Sequence, residues 1–110
     1  MEAFAIARHI RMSAYKVRRI MSLIRGKNIV EARNLMKFSP GVAAPRILKV
    51  LNSAIANFKQ KNSAAEEDIY VKIATADEAT TIKRIISRSQ GRAEQIKKRA
   101  CHIKIVVSND

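Results

Sequence analysis

The pattern of this 110-residue chain predicts an α+β fold: three helices packed on a small antiparallel sheet, with a long protruding basic β-hairpin. Three observations lead there. A period-two stretch opens the chain, three segments of helical spacing follow, and period-two stretches return after Ile69. The length fits one domain over residues 1–110, with 82–104 as the extended arm.

The opening strand rests on residues 2–11, where Phe4 and Ile6 alternate with Ala5 and Ala7 before Arg8 and Arg11. Ser13 is placed to cap a first helix, its hydroxyl accepting from a free N–H of the first turn. Val17, Ile20, Met21 and Ile24 then share one helical face, which Lys16, Arg18, Arg19 and Arg25 leave free for a core; Gly26 ends the helix. A short second helix is predicted over Ile29–Lys37, burying Ala32, Leu35 and Met36, with Ser39-Pro40-Gly41 breaking it. A third runs from Ala43 to Lys61 on an apolar stripe of Ile47, Val50, Leu51, Ala54, Ile55 and Phe58. Pro45 fits its first turn, where no N–H bond is required. An acidic loop at 62–68 leads into a strand from Ile69. Stretches 82–90 and 95–107 flank Gln90-Gly91-Arg92 and read as a hairpin turning near Gly91. The last of them ends in a core strand, Ile103 to Val107.

The net charge is +13, and it comes in blocks. Residues 1–60 carry +10, residues 61–81 carry −3, and residues 82–104 carry +7. A hydrophobic share of 47% is too high for a disordered basic tail, so a folded body facing a polyanion is expected. In the arm, Lys83-Arg84 and Lys97-Lys98-Arg99 put cations on both faces of their strands. Such a hairpin cannot lie on a core, and a lone two-stranded hairpin is marginal in water. Each strand of about ten residues reaches roughly 33 Å, so the arm is expected to project and to order against its partner.

Other chemistries find little support. The single cysteine, Cys101, excludes an intrachain disulfide scaffold. The start of the chain does not read as a signal peptide, and no apolar run is long enough to span a membrane. Ser13-Ala14-Tyr15-Lys16 matches an S-x-x-K pattern without its companion motifs. Cys101, His102 and His9 are too few for a tetrahedral zinc site, and the first two point to opposite sides of a strand. No enzyme, metal or cofactor is expected. A membrane-surface role is disfavoured because the apolar face of the first helix belongs to the core. An architectural DNA-binding role is disfavoured because both prolines, Pro40 and Pro45, lie in the helical half rather than at the arm tip. The five aromatics are all outside the arm, Phe38 and Phe58 fall at core positions by periodicity, and only Tyr15 is a candidate for exposure. Phosphate and shape contacts to a structured nucleic acid are therefore expected to dominate over base stacking.

The residues also carry a resemblance over essentially 1–108. In order, they include Ser13, Lys16-Val17-Arg18, Ile24-Arg25-Gly26-Lys27, Ala43-Ala44-Pro45, Ser53-Ala54-Ile55-Ala56-Asn57, Lys83-Arg84, Gln90-Gly91-Arg92-Ala93, Lys98-Arg99 and His102-Ile103. Together they resemble the bacterial-type large ribosomal subunit protein twenty-two family (the universal L-twenty-two family). The resemblance implies a structural protein that binds large-subunit rRNA of the 23S type and supports assembly. It also implies a hairpin whose tip helps line the nascent-peptide exit tunnel. The implied partners are that rRNA, neighbouring large-subunit proteins and the nascent polypeptide, with no membrane and no homo-oligomer. The implied location is the cytoplasmic ribosome, an organelle ribosome being the alternative.

The matched rRNA-binding positions are Arg8, Arg11, Ser13, Lys16, Arg18, Arg25 and Lys27 on the body and Lys83, Arg84, Arg88, Arg92, Lys98, Arg99 and His102 in the arm, to which the basic pattern adds Arg19 and Lys97. The tunnel-lining tip is expected at Ser87, Arg88, Ser89, Gln90, Gly91 and Arg92. The sequence departs from the usual family pattern at Ala79-Thr80, at Ile85 and at Ile86-Ser87-Arg88.

Overall fold

The computed structural model describes residues 1–62, 64–87 and 89–109, Ser89 by its backbone alone. The chain runs β1 (Glu2–Ile10), α1 (Ala14–Met21), α2 (Ile29–Phe38), α3 (Ala43–Lys61), β2 (Tyr70–Glu78), β3 (Ile82–Ser87), β4 (Ala93–Lys98) and β5 (Cys101–Ser108). This is the predicted α+β architecture, with both sheets antiparallel. β5 is the central strand of the larger sheet, in the order β1-β5-β2, and β3 pairs only with β4. Among the described residues no helix is long and apolar enough to cross a membrane.

The core lies between one face of the larger sheet and the helices. The stripe predicted on α3 is buried at every position, Phe58 completely. α1 contributes Val17 and Met21, and α2 contributes Ile29, Ala32 and Met36. From the sheet come Cys101, Ile103, Ile105 and Val107, alternate residues of β5 that share one face. β1 meets α3 through its small side chains: Ala3 is buried and Ala5 and Ala7 are half-buried, while Phe4 and Ile6 face outward. Asn57 of α3 donates its side-chain amide to the Phe4 carbonyl at 2.9 Å.

Several local expectations are corrected. Ser13 does occupy the N-cap of α1, but its side chain makes no capping hydrogen bond. α1 ends at Met21, and tighter turns carry the chain on, with Leu23 N–H donating to the Ile20 carbonyl and Ile24 N–H to that of Met21. Ile24 thereby remains buried. Phe38 is not a core residue: at the last position of α2 it is 79% exposed. β2 does not keep a plain period of two. Val71 pairs with Val107 and Ile73 with Val106, so Lys72 is an extra residue. The bulge moves the buried set to Val71, Ala74 and Ala76 and turns Ile73 outward.

The arm is shorter than 82–104, and the stretch expected at 95–107 is divided at Arg99-Ala100. The β3–β4 ladder runs from Ile82↔Lys98 to Ser87↔Ala93. At its root Ala79 N–H donates to the Ala100 carbonyl at 3.0 Å. Cys101–Lys104 belong to β5, because Cys101 and Ile103 bury their side chains under the helices. The molecule is 63 × 24 × 16 Å, with a radius of gyration of 17.0 Å. A compact chain of this length has about 13 Å. The excess is what a hairpin standing off the body produces.

Candidate nucleic-acid interface

The two outer strands of the larger sheet are finished differently, and this decides what several basic residues do. On the free edge of β2, Gly26 N–H donates to the Val71 carbonyl, Val71 N–H to Lys27 and Ile29 N–H to Ile69. Further along the edge, Arg18 Nε donates to the Ala76 carbonyl and Arg25 Nε to the Ala74 carbonyl, both at 2.8 Å. The two arginines stand seven residues apart, two helical turns, and the two carbonyls are two residues apart on one strand edge. Unpaired strand edges invite foreign pairing, and these contacts close this one. Arg18 and Arg25, expected at the interface, are thus also structural.

Gly26 has a φ of +74° and open space where a Cβ would sit, so the backbone conformation alone favours glycine there. It turns the chain out of α1 and onto the β2 edge.

The other expected positions divide between a cleft and open surface. Arg11, Ser13 and Lys16, from the β1–α1 junction, line one cavity of about 970 Å³ together with Arg84, Lys97, Lys98 and Arg99 from the hairpin root. Its apolar lining is Met12, Val42 and Ile82. Six cations from two regions that are far apart in sequence therefore face one concave space, with no carboxylate among the lining residues. Mutual repulsion makes such a cluster unfavourable alone and favourable around an anion. Lys83 stands directly opposite Lys97, a like-charge cross-strand pair that weakens the hairpin until an anion neutralises it. Arg84 and Lys98 lie on the opposite face of the same ladder.

Arg8, Arg19 and Lys27 are exposed on the body, Lys27 lying 3.8 Å from Glu31. Arg92 is exposed at the far end of the hairpin, where Gln90 and Gly91 both take positive φ, +64° and +72°, to close the turn. Arg88, and the side chain of Ser89, lie outside the described residues. His102 is half-buried, and its Nδ1 accepts from the His9 N–H at 3.1 Å. That bond holds His9 at a φ of +55°, in the irregularity where the β1–β5 register shifts between Ala7 and Ile10. One His102 nitrogen is therefore engaged internally, which leaves Nε2 to face a partner.

Sequence reasoning missed two basic residues of α3. Arg46 and Lys49 join Arg11 and His9 along a second groove of about 450 Å³ between β1 and α3. Their i, i+3 spacing was a readable signal for one helical flank.

The acidic segment is not a mere solvated loop. Glu66 forms ion pairs with Arg33 of α2 and Lys59 of α3 and ties both helices to the chain before β2. Lys59, and then Arg33, hold its carboxyl below the ordinary glutamate value. Cys101 is fully buried, and burial pushes its thiol pKa up, so it stays protonated at neutral pH.

A small α+β body with a basic cleft at the root of a charged hairpin defines a class of protein built to meet an anionic partner. The chain matches the family described as ribosomal protein L22p/L17e over residues 5–108 and belongs to that family. Among its relatives, the large ribosomal subunit protein uL22 of Bifidobacterium animalis subsp. lactis is 48% identical over 114 residues, covering 99% of this chain and 96% of that protein. The protein of the same name from a Thermoanaerobacter species is 47% identical over 107 residues, covering 97% and 96%. The one from a Synechococcus species is 46% identical over 106 residues, covering 96% and 86%.

Proposed function

We propose that this chain is a structural, non-enzymatic constituent of the large ribosomal subunit that binds 23S-type rRNA, supports subunit assembly and extends its hairpin tip to the wall of the nascent-peptide exit tunnel. The observation that carries the reading is the convergence of Arg11 and Lys16 with Arg84, Lys97, Lys98 and Arg99 around one cleft. An RNA backbone seated there bridges body and hairpin, fixes the angle between them and removes the like-charge penalty of the Lys83–Lys97 pair. rRNA, neighbouring large-subunit proteins and the nascent polypeptide are the partners, and the cytoplasmic ribosome is the place of action.

Titrating the full chain with a 23S-type rRNA fragment at increasing salt tests the cleft. Replacing both Lys16 and Arg99 by alanine is expected to reduce the slope of log K against log salt by about 0.7–0.9 per lost phosphate contact. An unchanged slope would overturn the cleft as a phosphate site.

A further inference from the structure

Phe38 is the most exposed of the large apolar side chains described, at 79%. It sits on α2 above a groove of about 650 Å³ whose apolar walls include Val30, Leu35 and Pro40. Lys37 Nζ stands 5.9 Å from the ring centroid. Asn34 offers a side-chain amide on the same groove. Its one carboxylate, Glu31, lies 3.8 Å from Lys27 and is locally neutralised. On the other flank of α2, Arg33, Lys37 and Asn52 line a second depression of about 300 Å³.

An apolar peptide would leave this cationic and amide rim without a role. A nucleotide uses all of it: a flat base for the ring, hydrogen-bonding edges for the amide, a phosphate for the lysine. Unpaired bases are recognised in this way, by stacking on aromatic side chains.

We propose that this groove is a base-stacking subsite, in which an unpaired base of the bound RNA lies on Phe38 and its phosphate meets Lys37. The proposal rests on the reading of the chain as an rRNA binder and adds a second contact on α2, separate from the basic cleft. It assigns to Phe38 a recognition role and not the core role its spacing predicts.

The test uses the full chain with two labelled RNAs of equal length, a hairpin with an unpaired purine loop and a blunt duplex. Phe38→Leu preserves apolar area but removes the aromatic face. It is expected to weaken binding of the looped RNA about 5- to 100-fold, with no change in salt slope and little change on the duplex. Phe38→Tyr keeps the face and is expected to bind as the parent does. Lys37→Ala is expected to lower the salt slope on the looped RNA by about 0.7. Equal binding of the looped RNA by Phe38→Leu and the parent chain overturns the subsite, as does an equal loss on both RNAs. If Phe38→Leu is neutral while replacing Lys16 and Arg99 by alanine weakens both RNAs, the subsite falls and the basic cleft stands. A parent chain that binds neither RNA removes both.

Discussion

β4 and β5 carry nearly the same local pattern and end in opposite environments. Ile96-Lys97-Lys98 and Ile103-Lys104-Ile105 both mix isoleucine with lysine in strands of one antiparallel system. Ile103 and Ile105 are fully buried, whereas Ile96 is only half-buried and its neighbours are exposed. β5 lies between two strands and beneath α3; β4 has one partner strand and no helix over it. Burial therefore follows the number of layers around a strand, not its own alternation. The body is stable by its own packing, and the hairpin is left to gain its order from whatever lies against it.

The sharpest way to break this comparison is to injure each region in turn. Phe58→Ala removes a fully buried ring from the body and is expected to cost about 3–5 kcal/mol. Arg92→Ala, on the exposed end of the hairpin, is expected to stay within about 0.5 kcal/mol of the parent. Urea unfolding followed by circular dichroism measures both. Cys101, buried and protonated, reports in parallel, since its alkylation should accelerate in Phe58→Ala and not in Arg92→Ala. A comparable loss from Arg92→Ala would show the hairpin to be part of the cooperative unit.

The next test sharpens the body's own boundary. Replacing Arg18 and Arg25 by alanine removes two charged donors from the β2 edge. A loss of about 1 kcal/mol for each is expected, because a carbonyl at a strand edge then relies on water. The urea midpoint should fall with an unchanged m-value. Full retention of the midpoint would make both arginines free for the interface.

The smallest effect concerns Glu66. Its folded-state pKa is lowered, so it adds stability above the unfolded-state value and loses it as pH falls through the folded-state value. With the side chain 32% exposed, the contribution is small, about 0.2–1 kcal/mol. The stability gap between the parent and Glu66→Gln should be widest near neutral pH and close in acid. A gap independent of pH would remove the ion pairs from the account.

Much of this was readable from residues. The Ala43–Lys61 helix is found at its predicted bounds, because its apolar stripe and its early proline agree with each other. Most of the cleft's cations were also named in advance, but their meeting was not, since Lys16 and Arg99 are joined only by the way the hairpin leaves the sheet. Phe38 was misread for a definite reason. Helical spacing places it near the core face, but it is the last residue of α2, where the helix has already run past the layer below. Ile73 was misplaced by a single inserted residue, which reverses the facing of everything beyond it.

The sequence by itself determined the element order, the α+β class, the core stripe of α3 and a charge distribution that demands an anionic partner. Periodicity and composition are properties of the chain, and they are legible without contacts. Only the tertiary structure decided which edge of the sheet is closed, where the arm ends, and which cations serve the body as well as the surface. Arg18 and Arg11 look alike in the sequence. One lies beside the Ala76 carbonyl and the other opens onto the cleft, and that difference exists only once β2 and the hairpin have been placed.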